Sequence, residues 1–432
     1  MAYPASSKVR SIVGAAALAF SLSAVVSTAA FAQSGNTITA WDQQTNTSSS
    51  KIIRDASDRF EKATPGFKVE NSHILNEAYK TKLKVAFGAN QPPCVFENWG
   101  GGGLQEYVKS GQIVDLTPYL SKDPAYRNRF MQSSWNVVTY GGKTYGVAAE
   151  NAAAAVIFYN KDVFAKYGIT PPKTWDELMH VVDVLKSHNV AAFSLANKNK
   201  WTGSMYYMYL VDRIGGPQVV KDAIEGKGKG FEDPAFIEAG KRIQELVKAG
   251  AFAPGINGLD YDSGASRRLL YSGKAAMELM GAWEASTIAN EDPAFSKNLD
   301  FFPFPSVPGG KGDPRDLIGT VGDGFLSIST ECKTPDVAFK LIQAMTDETA
   351  MQDRASNDHK LPPVNNVKID DPFTQRLQKL LAAAPSVQLW YDQALPPALG
   401  EMHKDTTQQL FGLSLTPEAA AQQMEAASKK GG

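Results

Sequence analysis

Between Ala152 and Tyr159 the chain reads A-A-A-A-V-I-F-Y, an uncharged, almost wholly apolar run bounded by Glu150-Asn151 and Asn160-Lys161. A run this short and continuous fits a strand buried on both faces. Gly141-Gly142 marks a turn ahead of it, and Thr144 to Ala148 reads as a short extended piece. Downstream, Pro171-Pro172 forces an extended break. Thr174 then reads as a helix cap, with Glu177 at capping-box spacing before the stripe Leu178, Val181, Val182 and Leu185. Strand, turn and helix in this order imply an α/β layer fold.

The first hundred residues repeat the alternation. Thr37 to Asp42 reads as a strand, Ile52, Ile53, Ala56 and Phe60 as a helix, and Phe67 to Glu70 as a second strand. Tyr79, Leu83, Ala86 and Phe87 predict another helix. Val95-Phe96 begins a strand that runs out through Glu97-Asn98-Trp99 into four glycines, Gly100 to Gly103, before the helical spacing of Leu104, Tyr107 and Val108. Alternating strands and helices predict a parallel-type sheet, with ligands gathering beyond the carboxyl ends of its strands. That rule nominates Trp41-Asp42 with Gln44, the loop at Asn76, and Asn98-Trp99. Further on come an aromatic stretch from Trp201 to Tyr209, a helix through Ile237, Ile243, Leu246 and Val247, and an extended Phe301 to Pro308. Thr334-Pro335 and Thr416-Pro417 each read as a capped helix start.

A chain of 432 residues exceeds a usual single core and predicts two domains. Its 44 basic and 45 acidic residues offer no global field for nucleic acid or an anionic membrane. Lys8 and Arg10 precede an uncharged run from Ile12 to Ala30, and Ala30-Phe31-Ala32 supplies the small residues of a cleavage site. Residues 1–32 therefore read as a signal peptide in preference to a membrane anchor, and the mature protein as periplasmic. Cys94 and Cys332 are open to two readings, a structural disulfide or two buried thiols.

The string Tyr159-Asn160-Lys161-Asp162, with Phe164, Gly168, Pro171-Pro172 and Thr174-Trp175-Asp176-Glu177-Leu178, resembles the signature of extracellular solute-binding proteins of the sugar-binding family. Gly273-Lys274-Ala275-Ala276-Met277 leading to Gly281-Ala282-Trp283, and the glycine-rich strand Gly319 to Phe325, resemble that family too. The resemblance implies a two-lobe periplasmic binding protein fold of type II, with the ligand cleft between the lobes. It implies a first lobe of residues 33–147 plus 318–361 and a second of residues 148–317 plus 362–432. It also implies capture of a carbohydrate by hinge closure and delivery to the membrane permease of an ABC importer. Such a protein is expected to be a monomer, not an enzyme, and to need no cofactor or metal.

The residues present suit that chemistry. A neutral sugar offers C–H faces that rest on an indole, and hydroxyls that pair with amides and carboxylates. Of seven tryptophans, Trp99 and Trp283 end strands on opposite lobes and read as platforms. Trp201 and Trp390 stand between platform and packing, while Trp135 and Trp175 read as core. The candidate ligand-binding set is Asp42, Gln44, Asn76, Asn98, Trp99, Glu150, Trp201, Trp283, Asp323, Tyr391 and Asp392. Several aromatics point to a di- or oligosaccharide, with xylobiose or α-galactosides as family-level examples. Two rivals remain at this level. One is a secreted glycoside hydrolase using Glu97 and Glu150 as its carboxylate pair. The other is the same fold taking a polyamine or other cation. Gly142-Lys143-Thr144 imitates the end of a phosphate loop, but Val137 stands where the loop glycine is required, and none of the five histidines forms a metalloprotease motif.

Overall fold

The computed structural model describes residues 36–430. The expected signal peptide and its cleavage site lie outside the described residues. The chain begins with β1 (Thr37–Asp42), α1 (Thr47–Ala63), β2 (Lys68–His73), α2 (Asn76–Gly88), β3 (Val95–Asn98) and α3 (Gly101–Lys109). The long strand β4 (Val147–Asn160) follows, then α4 (Trp175–Ser187), β5 (Ala191–Phe193) and α5 (Trp201–Gly215). Next come β6 (Ala275–Gly281), α6 (Glu284–Glu291), β7 (Leu299–Phe302), β8 (Leu317–Ile328) and the short β9 (Val387–Gln388).

The predicted strand-and-helix order holds, but the sheet is mixed where the sequence predicts a parallel one. Its order is β2-β1-β3-β8-β4-β6-β5, with β9 beside β8 and β7 beside β4. β1 lies parallel to β2 and β3, and β5 is parallel to β6. β8 and β4 run antiparallel to each other and to most of their other neighbours. The difference has a simple cause: β4 and β8 carry the chain out of one half of the molecule and back again. Strands used for crossing and return oppose one another, whereas strands joined through a helix run parallel.

Two separate cores make the halves visible. Ile38, Ile53, Phe60, Tyr79, Leu83 and Phe96 form one, joined by Val147 to Ala149 of β4 and Phe325, Leu326 and Ile328 of β8. Ala155 to Phe158 of β4 and Ile318 of β8 belong to the other, with Trp175, Leu178, Met208, Leu279, Trp390 and Leu410. Each crossing strand thus begins in one core and ends in the other. We propose that the lobe boundaries fall in the stretches between the two cores, residues 150–154, 319–324 and 368–376, where the sequence reading sets them at 147/148, 317/318 and 361/362.

Local chemistry explains the elements. Asn46 caps α1 by accepting from Ser49 N, and Thr174 caps α4 by accepting from Glu177 N. Glu177 returns its carboxylate to Lys173 N at 2.6 Å, one residue earlier than a capping box would place it. Thr416 caps the last helix, but Thr334 makes no side-chain cap, so that start rests on Pro335 alone. The Trp201–Tyr209 stretch is itself helix α5, buried on nearly every side, which accounts for its loss of apolar periodicity. Cys94 and Cys332 are joined in a disulfide with Cα atoms 4.5 Å apart, inside the first core.

Candidate functional site

Between the two cores lies a cleft of about 1050 Å³. The loop after β1, the start of α2, and the β3–α3 turn form its first wall. Side chains from α5, α6, Tyr261 and the segment after β9 form the second, and the middle of β4 and β8 contributes Glu150, Asn151, Asp323 and Gly324 to the floor.

Buried charge fixes the floor. Glu150 accepts from Arg354 Nη2 at 2.9 Å and from Lys360 Nζ at 2.8 Å. Lys360 also donates to Gln44 Oε1 and Ser49 Oγ, both at 2.9 Å, and pairs with Asp358 at 3.0 Å. Asp358 in turn accepts the hydroxyls of Ser48, Ser49 and Ser286. Burial pushes Glu150 and Asp358 upward, but the adjacent cations reverse this and hold both carboxyls below their usual range. Burial likewise pulls Lys360 down, and Asp358 and Glu150 more than restore it, so its ammonium persists well into alkaline solution.

The first wall is polar. Glu97, only 1 % exposed, accepts from Gln43 N at 3.1 Å and from the side-chain amides of Gln43 and Gln44 at 3.0 Å each. Burial, with the charges of Glu150 and Asp42 nearby, pushes its carboxyl to about 8, so it is mostly protonated at neutral pH. Asp323 sits where the β4–β8 register slips, between Gly322 and Gly324, whose φ angles are +103° and +64°. Non-glycine residues rarely adopt such angles, and the bulge they permit re-aims Asp323 toward the cleft. Burial raises Asp323 to about 6.

The second wall is aromatic. Trp283 packs against Trp390 at 5.7 Å and Trp201 at 6.2 Å between ring centroids, and Trp201 meets Tyr261 edge-on at 4.9 Å. The Trp283 indole N–H donates to the Tyr261 hydroxyl, which itself donates to Glu284 at 2.7 Å, so the rings are pinned from behind. Trp99 faces them from the first wall, edge-on to Tyr79 at 5.9 Å. Lys80 lies between the walls, its ammonium 5.5 Å from the Trp99 ring and 5.7 Å from that of Trp201.

Nine of the sequence-nominated residues therefore line one cleft: Gln44, Asn76, Asn98, Trp99, Glu150, Trp201, Trp283, Asp323 and Asp392. Asp42 and Tyr391 do not. Asp42 points away into a buried hydrogen bond with His73 at 2.8 Å, because alternation along β1 turns its side chain to the core while its neighbours reach the loop. Tyr391 is buried among core residues such as Met208 and His403, leaving its neighbours Trp390 and Asp392 to face the cleft. Asn98 reaches the lining with its amide already committed, to Phe325 O at 3.0 Å, Ser327 Oγ at 2.8 Å and Gly100 N at 3.0 Å. Trp41 stays outside under Lys82, and Trp135 and Trp175 are core as expected. Sequence reasoning missed Gln43, Lys80, Tyr261, Asp262, Asn290, Lys360 and Lys404 as lining residues. Most sit on irregular loops or exposed helix faces, where no periodicity marks them. Gln43 alone had a signal, standing beside Gln44 at a strand end.

Gly100 to Gly103 have a use that the sequence does not disclose. A Cβ on Gly101 would run into the carbonyl oxygen of Gln393, and one on Gly102 into that of Leu395. The glycines let the first wall touch the backbone of the second. Among the described residues no group of three or more His, Cys, Asp or Glu side chains is placed to hold a metal ion.

Two cored lobes, exchanged strands between them and a ring-lined cleft define a two-lobe α/β solute-binding protein. The chain belongs to the family of bacterial extracellular solute-binding proteins, whose pattern it matches over residues 43–352. Among solved structures it is similar to one from a study of xylan utilization by the thermophilic bacterium Caldanaerobius polysaccharolyticus. That chain is 31% identical, with a TM-score of 0.85, and the match covers 90% of this chain and 99% of that one. A chitin oligosaccharide binding protein is 25% identical with a TM-score of 0.82, covering 91% of this chain and 98% of that one. The multiple sugar-binding protein of Streptococcus mutans is 26% identical over 352 residues, 79% of this chain and 78% of that protein. The fold and family match those of non-enzymatic solute-binding proteins.

Proposed function

We propose that the protein captures a di- or oligosaccharide in this cleft and presents it to the permease of an ABC importer. The observation that carries the reading is the facing of Trp99 by the Trp201–Trp283–Trp390 array across a polar floor. Indole faces take the C–H surfaces of sugar rings, while Gln44, Asp323 and Asp392 answer hydroxyls. A cleft of about 1050 Å³ lies at the upper end of the range for drug-sized ligands and has room for more than one pyranose. The similarity to proteins of xylan utilization and chitin oligosaccharide binding supports a β-linked plant or chitin fragment over a monosaccharide. The candidate contacts are seven of the nine lining residues, Gln44, Asn76, Trp99, Trp201, Trp283, Asp323 and Asp392, joined by Gln43, Lys80, Tyr261 and Trp390; Asn98 and Glu150 are already spent on partners within the fold.

The protein acts as a monomer in the periplasm after loss of residues 1–32, and changes no bond in its ligand. Both Glu150 oxygens are taken by Arg354 and Lys360, which removes Glu150 as the carboxylate partner of Glu97 and disfavours the hydrolase built on that pair. A thermal-shift panel of xylo-, chito- and galacto-oligosaccharides, their monosaccharides and spermidine tests the reading. Stabilisation by one oligosaccharide series supports it. A response to spermidine alone, or release of phenol from an aryl glycoside, would replace it.

A further inference from the structure

Helices α1 and α2 both point their N-termini at the cleft from the first lobe, and the first turn of such a helix leaves backbone N–H groups without intrahelical partners. In α2 the capping position is held by Leu75, whose side chain accepts nothing. The free N–H of Glu77, at the second helical position, donates instead to Asp262 Oδ2 at 3.1 Å. Asp262 adjoins Tyr261, which packs on the second core, whereas Tyr79 and Leu83 of α2 belong to the first. In α1 Asn46 serves Ser49 N, and the N–H of Ser48, again the second helical position, donates to Asn290 Oδ1 at 3.2 Å. Asn290 lies on α6, whose Ala285 and Ile288 are in the second core. The same corner carries Asn290 Nδ2 to Ser48 Oγ at 2.9 Å and Ser286 Oγ to Asp358 at 2.6 Å.

We propose that Asp262 and Asn290 are latch residues, capping two first-lobe helices from the opposite lobe so that the cleft closes against its own unsatisfied amides. When the lobes part, Glu77 N and Ser48 N lose these acceptors; when they meet, each regains a cap. The latch therefore favours the closed form with or without ligand, and raises apparent affinity by enlarging the competent fraction. It rests on the reading that the cleft opens and closes, but not on what the ligand is.

The test measures lobe separation in ligand-free protein, by pulsed electron–electron resonance between spin labels at Lys62, exposed at the end of α1 in the first lobe, and Lys248, exposed on the second-lobe helix Pro234–Ala249. Asp262→Ala combined with Asn290→Ala is expected to move the distances toward a wider population, by roughly fivefold in the open-to-closed ratio for each cap removed. Asp262→Asn keeps a capping oxygen and is expected to restore closure at that helix, since Asn and Asp cap equally well. Circular dichroism of each variant checks folding, and Asp262→Asn against Asp262→Ala supplies a contrast within folded protein. Affinity for xylobiose, xylotriose and chitobiose adds a second readout: a latch weakens every ligand that binds by the same factor, whereas a direct contact weakens them unequally. Unchanged distances in the double variant would overturn the latch, as would losses that differ from sugar to sugar. Failure of every sugar to bind, with distances shifted as expected, would overturn the carbohydrate reading and leave the latch standing.

Discussion

The two walls of the cleft are built on different principles. The first is polar and continuous with the hinge: Gln44 touches Lys360, Lys360 touches Glu150 on β4, and Glu97 is gripped by Gln43 and Gln44. The second is a packed set of rings held by one another and by the Tyr261–Glu284 hydrogen bond, with no charge pair to the floor among the described residues. A change on the first wall should therefore reach the hinge and the whole fold, while a change among the rings of the second should stay in the ligand's free energy. Directional bonds suit a surface that must hold its geometry through a rotation. Stacked rings suit one that must accept related sugars without exact register.

The sharpest way to break this contrast is to strip the floor. Lys360→Met leaves Glu150 and Asp358 short of a partner, and urea denaturation should show a loss of about 3–5 kcal/mol. A loss under about 1 kcal/mol would mean that the network is ornamental. Replacing Cys94 and Cys332 by alanine should lower stability by about 2–5 kcal/mol, because the bond closes a loop spanning 238 residues. Sugar affinity should hardly change, since both cysteines lie in the first core behind the polar wall. On the aromatic side, Trp283→Ala should weaken oligosaccharide binding by about 2 kcal/mol, roughly thirtyfold in Kd, measured by titration calorimetry. If Gln44→Ala weakened it more, the division between the walls would be wrong.

The smallest effect concerns pH. Glu97 is neutral in the fold up to about 8, while in the unfolded chain it ionises near 4.5. The folded protein thus holds the extra proton between those values, and wild-type stability should fall as pH rises through that window. Glu97→Gln removes the liability, so its stability relative to wild type should improve by on the order of 1 kcal/mol from pH 6 to pH 7. Denaturation at the two pH values checks the sign. Glu150 and Asp358 act oppositely, their contribution being present at neutral pH and lost only as pH falls below about 4.5 for Glu150 and about 3.8 for Asp358.

Much of the fold could be read from residue order, because its signals are local. The apolar run at Ala152 to Tyr159, the Thr174 cap and the alternation from Thr37 to Val108 each act within a few residues of themselves. The cleft lining was legible where a strand end presents its residues directly, as at Gln44, Trp99 and Trp283, and where flanking glycines open a strand, as at Asp323. It failed at Asp42 and Tyr391, where facing in or out is decided by a one-residue alternation or a single turn. It also failed where the role belongs to a pair. Asn98 looks like a ligand amide until Phe325 O and Ser327 lie beside it, and Lys360 looks like a surface lysine until Glu150 and Asp358 surround it. Phe325, Ser327 and Glu150 each lie more than 200 residues from the side chain they hold, and such pairs leave no local mark.

The central claim is that two unlike walls close on a sugar longer than one ring. Titration calorimetry of xylose, xylobiose, xylotriose and xylotetraose, with the matching chito series, tests it most directly. The account predicts negligible heat from the monosaccharides and, within one series, affinity that climbs by at least tenfold from one ring to two. Saturable binding of a monosaccharide that gains nothing from a second ring would contradict it.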